Sequence, residues 1–204
     1  MRTRALVLAG GGVTGLGWEL GVLVGLRDAG VDVVDWDRIV GTSAGSVVGA
    51  ALGAPGHLDA LVQAFASMDG DRLRMLVGRR DPAISASVEE LWFGAGSSPD
   101  GPDRVARRKI GRLADVHDPE LSAAYLAAIE SILPSTDWPR SLVVTVVDAG
   151  DGTVRDFDAG SGVPLALAVA ASCAVPGMFP LVDIGGRRYM DGGVRSASNA
   201  DHAA

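Results

Sequence analysis

The sequence predicts an α/β fold, a three-layer α/β/α sandwich around a mostly parallel central sheet. Short apolar runs over residues 4–9 and 142–147 are typical of strands that are covered on both faces. Longer apolar segments over residues 16–29 and 119–133 have the length of helices. This alternation of strands and helices favours parallel strand pairing, with helices on both faces of the sheet.

The remaining elements continue the alternation. Further strands are predicted over residues 31–34, 39–40, 152–157 and 187–190, and further helices over residues 46–52, 58–68 and 163–174. Residues 69–118 are more charged and are punctuated by glycine and proline, so they are predicted to form a peripheral cap or lid with short helices. Since no internal repeat is evident, residues 1–204 are interpreted as one domain.

Composition limits the classes of function. With 48% hydrophobic residues in 204, the chain can bury a large core. A net charge of -7 argues against a general nucleic-acid binder. The single cysteine, Cys173, excludes an internal disulfide framework, gives no metal cluster and is predicted to be a buried small residue. No cofactor or metal ion is expected.

Two apolar stretches resemble export or membrane signals. The run over residues 5–9 is too short for the core of a signal peptide. Residues 163–182 carry no charge, but their prolines leave too little uninterrupted helix to span a bilayer, so a buried helix followed by a turn is predicted. A cytoplasmic location is therefore expected.

The segment with sequence GTSAG, residues 41–45, lies between an apolar strand and an apolar helix. In a tight strand-turn-helix elbow, Gly41 and Gly45 relieve the crowding around a strained serine. The amide groups and dipole of the following helix favour negative charge near that serine. Ser43 is therefore a candidate nucleophile.

A glycine-rich loop with sequence GGGVTG, residues 10–15, directly follows the first predicted strand. One interpretation is a phosphate cradle, because the loop matches the dinucleotide-binding pattern and Asp32 or Asp35 lies about twenty residues downstream. The other is an oxyanion hole, in which main-chain amides bind the charge that forms on a carbonyl oxygen. The serine elbow favours the oxyanion hole, because a nucleotide-binding loop needs no nucleophile at the next strand end.

A serine nucleophile needs a base, and the histidines are weak candidates. His57 and His117 are predicted to be surface residues, and His202 lies where fraying of the chain end would disturb its geometry. Asp191, by contrast, ends the predicted strand 187–190 and is followed by two glycines that let the chain turn away. Its carboxylate is predicted to lie at the same edge of the sheet as Ser43.

In this order, the glycine loop, the serine elbow and the late Asp-Gly-Gly resemble the patatin-like phospholipase family over residues 6–193. The segment 170–180, AASCAVPGMFP, is also similar to the family's approach to its aspartate. The resemblance implies a lipid acyl hydrolase of the phospholipase A or esterase type that cleaves carboxylic esters through an acyl-enzyme. Ser43 and Asp191 would form its catalytic dyad. The oxyanion hole would comprise Gly10, Gly11, Gly12 and Val13, and the motif glycines that support the site would be Gly15, Gly41, Gly45, Gly192 and Gly193.

The sequence departs from the family at two places. Thr14 stands where the family commonly has arginine or lysine, which removes a cation beside the loop. The chain ends soon after Asp191, where the family continues into a further strand and helix. We therefore expect a shortened member with an exposed sheet edge that favours pairing between copies of the chain.

A basic stripe raises the question of lipid contact. Four arginines recur at helical spacing, Arg104, Arg107, Arg108 and Arg112. Such a stripe is either a solvated helix face or a surface that docks transiently on a membrane. Beyond the lipid or fatty-acyl ester hydrolase, two alternatives stay open, a nucleotide-binding protein and a catalytically silent interaction protein.

Overall fold

The computed structural model describes residues 4–70, 73–74, 78, 82–93, 102–115 and 118–204. The strands are β1 (Ala5–Leu8), β2 (Arg38–Gly41), β3 (Leu142–Asp148), β4 (Val154–Phe157), β5 (Val182–Ile184) and β6 (Arg187–Asp191). The helices are α1 (Gly12–Asp28), α2 (Ala44–Ala50), α3 (His57–Ala66), α4 (Pro82–Phe93), α5 (Arg104–Leu113), α6 (Pro119–Ile132) and α7 (Leu165–Ser172). None of the helices in these residues is long and apolar enough to cross a membrane.

The α/β fold is confirmed, but the sheet is mixed rather than mostly parallel. Strands β1, β2 and β3 pair in parallel. Strand β3 pairs antiparallel with both β4 and β6, and β6 pairs antiparallel with β5. The apolar pattern of a buried strand is the same in either direction, which is why the sequence pattern did not reveal the antiparallel half.

The pairing brings the carboxyl ends of β2 and β6 together at the middle of β3. Strand β4 pairs with residues 144–147 along one edge of β3, so β2 and β6 must share the other edge. On that edge Gly41 pairs with Val144, and Asp191 pairs with Val146. Because β2 runs parallel and β6 antiparallel to β3, the last residues of both strands point toward each other.

Two apolar clusters cover the two faces of the sheet. Alternate residues of β3 divide between them, with Val144 and Val146 in the larger cluster and Val147 in the smaller one. The larger cluster also contains residues of α1, α2, α3, α6 and α7. In the smaller cluster, Ile110 of α5 and Met190 of β6 are fully buried. Helices therefore lie on both faces, which gives three layers.

Residues 69–118 are described in part. Their helices α4 and α5 pack on each other and contribute to the smaller cluster. The described helices of the predicted cap thus form the second covering layer of the sheet. Residues 71–72, 75–77, 79–81, 94–101 and 116–117 lie outside the description, and the role of the segment as a lid stays a prediction.

Several predicted elements differ from the structure in their bounds or in their presence. Helix α1 begins at Gly12 rather than at residue 16, and β5 was not predicted. The strand predicted over residues 31–34 is absent, because the Asp32 carboxylate accepts the N–H groups of Val34 and Asp35 at 2.9 and 3.1 Å. Such a local turn satisfies the main chain without a sheet partner.

Candidate active site

Ser43 lies at a strained turn between β2 and α2. Its φ of 53° and ψ of -122° place a non-glycine residue in a sparsely populated region. At Gly45, an added Cβ would lie 2.2 Å from the carbonyl oxygen of Leu8. Only glycine therefore allows α2 to approach β1 this closely, and the predicted elbow is present.

Two buried serines hold the main chain of Ser43. Its N–H donates to the Ser172 hydroxyl at 2.9 Å, and that hydroxyl donates to the carbonyl oxygen of Thr145 at 2.8 Å. On the other side, the Ser46 hydroxyl donates to the carbonyl oxygen of Ser43 at 2.7 Å. These bonds satisfy the polar groups that the strained turn removes from regular pairing. Ser172 was missed as a site residue, because a lone serine in an apolar helix carries no local signal.

Asp191 ends β6, is 2% exposed, and lies beside Ser43. Its Oδ1 accepts the N–H of Gly193 at 2.6 Å. Burial raises the pKa of Asp191 to about 7, although the nearby Ser43 side chain and the hydrogen bond from the Gly193 amide favour the charged form. The structure therefore brings the two residues predicted to form the dyad close together, at strand ends that meet on β3.

Asn199 braces the meeting point of the two strand ends. It is fully buried in a left-handed conformation, with a φ of 46°. Its Nδ2 lies 3.1 Å from the hydroxyl of Thr42, 3.2 Å from that of Thr145 and 3.3 Å from the carbonyl of Gly192. The amide thus ties the ends of β2 and β6 to β3. The sequence reasoning missed this residue, since its partners are distant along the chain.

The glycine loop leads from β1 into α1. The N–H of Gly10 donates to the carbonyl oxygen of Ala197 at 2.7 Å, so this amide anchors the loop to the C-terminal segment. Gly11 caps the helix, and its carbonyl accepts the N–H of Gly15 at 2.9 Å. Gly12 and Val13 open the first turn of α1, where amides have no partner within the helix, and both line a cavity beside Ser43.

This cavity has a volume of about 440 Å³ and is mainly apolar. Its lining comprises Gly12, Val13, Thr14, Leu16, Ser43, Ala44, Val47, Tyr125, Ile129, Ile132, Cys173, Val175, Met178 and Phe179. Ser43 is one of its few polar lining residues. Burial raises the pKa of the Cys173 thiol to about 12, so this cysteine behaves as an apolar wall residue rather than as a reactive thiolate.

The histidines have other environments. His202 is held by a 2.8 Å contact between its Nδ1 and the Asp156 carboxylate, and its carbonyl oxygen accepts Arg38 Nε at 2.6 Å. These contacts hold the terminal segment in place, whereas fraying was predicted there. His57 is the first residue of α3, and His117 lies outside the described residues.

The geometry does not fit the nucleotide-binding alternative. Asp35 pairs with Arg4, which directly precedes β1, at 3.0 Å. The glycine loop follows the other end of β1, so Asp35 lies at the wrong end of the strand to contact a ribose beside that loop. The Asp32 carboxylate is part of the turn after α1.

Known proteins are similar to this chain in sequence and in fold. A family model described as patatin-like phospholipase matches residues 6–204. Uncharacterized NTE family proteins of Mycobacterium bovis and Mycobacterium tuberculosis are each 32% identical over 190 residues, which are 93% of this chain and 42% of each relative. The chain thus spans less than half the length of these relatives.

Among solved structures, VipD from Legionella pneumophila has a similar fold, with a TM-score of 0.53 and 17% identity over 96% of this chain and 47% of that one. This likeness bears on the fold alone. The family resemblance predicted from the glycine loop, the serine elbow and the late aspartate is confirmed by the family match over residues 6–204, and the chain belongs to the patatin-like phospholipase family.

Proposed function

We propose that this chain hydrolyses carboxylic esters of lipids with Ser43 as the nucleophile and Asp191 as the base. The observation that carries the proposal is that Ser43 and Asp191 lie at strand ends that meet on one edge of β3, with Asp191 buried and its pKa raised. A carboxylate with a pKa near 4 is a weak base for a serine hydroxyl. Desolvation brings the pKa of Asp191 to about 7, close to the range in which general bases work best.

In the proposed reaction, Ser43 attacks the ester and Asp191 accepts and returns the protons. The Ser43 oxygen attacks the ester carbonyl carbon while its proton passes to Asp191. The tetrahedral intermediate then collapses, and the departing alcohol takes the proton from Asp191. Water attacks the resulting acyl-enzyme, gives a proton to Asp191 and forms a second tetrahedral intermediate. Its collapse releases the carboxylic acid, and the proton returns to the Ser43 oxygen.

The oxyanion would be bound by main-chain amides of the glycine loop. Gly12 and Val13 are the best-placed donors, because they line the cavity with Ser43 at the start of α1. Gly11 adjoins them at the cap, and Gly10 would support the loop through its bond to Ala197. One well-placed donor contributes on the order of 3 kcal/mol to a transition state of this kind.

The cavity supports a fatty-acyl substrate. Aliphatic and aromatic side chains form most of its wall, and Ser43 is part of the same lining. An acyl chain would bury its methylene groups along this wall while its ester carbonyl reaches the serine. The relatives are about twice as long as this chain, so they carry sequence beyond the matched part. The activity of a longer protein that contains this domain belongs to the same proposal.

Covalent labelling tests the nucleophile most directly. We expect a fluorophosphonate to modify Ser43, and p-nitrophenyl ester hydrolysis to fall at least ~1000-fold in Ser43→Ala and at least ~100-fold in Asp191→Asn. Matched controls at exposed positions, Ser67→Ala and Asp137→Asn, should retain full activity.

The same experiment separates the alternatives. A protein that is not labelled and hydrolyses no ester, yet binds NAD(H) at equilibrium, would be a nucleotide-binding protein. A folded protein that shows neither labelling nor binding would be the silent interaction protein. Full activity in folded Ser43→Ala or Asp191→Asn would remove the dyad.

Membrane contact is a separate part of the proposal. Arg104 and Arg107 use their Nε groups to bind the carbonyl oxygens of Asp151 and Gly152 at 3.0 and 2.8 Å, so they hold α5 on the turn after β3. The outer face of α5 presents exposed basic and apolar side chains instead, Val105, Arg108, Lys109, Arg112 and Leu113. This mixture suits an anionic lipid surface.

Vesicle sedimentation tests this surface. We expect the protein to bind anionic vesicles better than neutral ones, and Arg108→Glu with Arg112→Glu to abolish the difference. Arg140→Glu, in the exposed loop before β3, is the control and should bind as the wild type does. Equal binding to both kinds of vesicle would exclude the contact.

A further inference from the structure

A stacked aromatic pair separates the active-site cavity from a second cavity. The second cavity has a volume of about 350 Å³ and lies between α6, α7 and the segment that leads into β5. Tyr125 of α6 lines both cavities. Phe179 lines the first, and the next residue, Pro180, lines the second. The two cavities therefore adjoin at Tyr125 and Phe179.

The position of Tyr125 is tightly held. Its side chain is 2% exposed, and its hydroxyl donates to the carbonyl oxygen of Ala170 in α7 at 2.9 Å. Its ring stacks on that of Phe179, with ring centroids 4.9 Å apart and an angle of 27° between the planes. A ring fixed at both its edge and its face acts as a wall and not as a mobile side chain.

The second cavity could hold part of an aliphatic chain if the wall were absent. Leu126, Leu167 and Leu181 contribute to its lining, so a methylene chain would find apolar contacts there. The polar groups in its lining belong to Ser122, Asp183 and Arg188. The second cavity would therefore extend the first one as a site for acyl chains.

Resting on the proposed ester hydrolysis, we propose that Tyr125 sets the maximum length of the acyl chain that the active-site cavity accepts. The chain runs from Ser43 toward α6 and stops at the ring of Tyr125. Replacing the ring by a smaller side chain joins the two cavities and lets longer chains bury additional methylene groups. Burial of each further methylene favours the longer substrate by up to about fourfold.

The measurement is the ratio of kcat/KM for p-nitrophenyl palmitate to that for the butyrate. Tyr125→Leu should raise the ratio at least ~10-fold, which corresponds to about two further buried methylenes. Tyr125→Phe keeps the ring and should keep the wild-type ratio. Phe179→Leu opens the wall from its other side and should shift the ratio in the same direction, which keeps the test valid if Tyr125→Leu fails to fold.

A filling substitution makes the test specific to the second cavity. Leu167 is half-buried and lines this cavity. Leu167→Trp should leave the ratio unchanged in the otherwise wild-type protein, because the wall keeps the chain out. In combination with Tyr125→Leu, it should return the ratio to the wild-type value. An unchanged ratio in folded Tyr125→Leu, or a lower ratio in Leu167→Trp alone, would overturn the proposal.

Binding without turnover separates this proposal from the proposed function. Saturated fatty acids from octanoate to palmitate can be titrated calorimetrically into Ser43→Ala, with and without Tyr125→Leu. We expect affinity to stop rising at a shorter chain when Tyr125 is present. If no ester is hydrolysed by the wild type, the hydrolase fails, and this binding series still decides whether Tyr125 limits chain length. An identical chain-length series in both variants would refute the limit.

Discussion

Ser172 lies 129 residues after Ser43 in the chain, and its hydroxyl accepts the main-chain N–H of Ser43 at 2.9 Å. The same hydroxyl donates to the carbonyl oxygen of Thr145 in the central strand. One side chain of α7 therefore fixes the strained turn relative to β3. The position of Ser43, the proposed nucleophile, depends on this contact between elements that are distant in sequence.

Ser172→Ala is expected to reduce catalysis without removing the nucleophile. The N–H of Ser43 and the carbonyl of Thr145 would each lose a buried partner, at a cost of about 1–3 kcal/mol per group. We expect kcat for a p-nitrophenyl ester to fall ~10–100-fold with little change in KM, because the loss displaces the turn rather than the acyl-binding wall. Ser67→Ala makes the same change at an exposed position and should leave kcat unaltered. An unchanged kcat in Ser172→Ala would show that the contact does not position Ser43.

Ester hydrolysis is expected to depend on the ionisation of Asp191. The base must be ionised to accept the Ser43 proton, and burial raises the pKa of Asp191 to about 7. The kcat/KM for a neutral ester should therefore rise with pH and level off above about pH 7, instead of near the ordinary value of about 4. A pH series on the wild type and on Asp137→Asn measures this, and both proteins should give the same midpoint. A rate already level at about pH 5 would contradict a base of raised pKa.

Asp191→Asn is expected to stabilise the fold while it abolishes activity. The pKa of Asp191 is higher in the folded protein, about 7, than its ordinary value of 3.8, so ionisation favours the unfolded state. The free energy of unfolding therefore decreases as the pH rises from about 3.8 to about 7. Above that range the decrease due to Asp191 is complete and amounts to on the order of 4 kcal/mol.

Urea unfolding at two pH values measures this effect. The variant should be more stable than the wild type at about pH 8, and the difference should nearly disappear at about pH 3, where the carboxyl group is mostly protonated in both states. A variant that is less stable than the wild type at the higher pH would show that ionised Asp191 is well solvated or well paired.

Gly45→Ala is expected to disrupt the fold. The added Cβ would lie 2.2 Å from the carbonyl oxygen of Leu8, and main-chain atoms of β1 and α2 would have to separate. We expect a loss of more than ~4 kcal/mol, seen as insoluble protein or a large fall in the unfolding midpoint. Gly21→Ala is the matched control, since its Cβ meets no atom within 4 Å in the middle of α1. It should raise stability by ~0.5–1 kcal/mol. A normally folded Gly45→Ala would show that α2 can move away from the sheet.

The local sequence pattern was sufficient to predict the motifs. The strand, turn and helix around Ser43 could be predicted because the turn needs glycines close to the serine, where a larger side chain would clash. Asp191 could be placed at a strand end from its neighbours, since the short segment that ends in Tyr189, Met190 and Asp191 is followed by two glycines. Most of the helices were also predicted, because their apolar segments have helical length.

The partner of the Gly10 amide could not be predicted from the local sequence pattern. The loop was predicted from its glycines, but its first N–H donates to Ala197, far along the chain. The C-terminal segment, through Ala197 and Asn199, joins the loop and the strand ends in one arrangement. Single polar residues such as Asn199 and Ser172 have no periodic signature, so only their tertiary partners identify them.

The sequence by itself determined which groups carry the candidate chemistry and that each follows the end of a strand. Tertiary structure decided that Ser43 and Asp191 meet, because β6 pairs antiparallel to β3 on the edge that β2 also occupies. Tertiary structure also decided the basicity of Asp191, because burial among distant segments, and not its neighbours in the chain, raises its pKa. The sequence specifies the type of each residue, whereas strand direction and desolvation depend on how distant segments pack together.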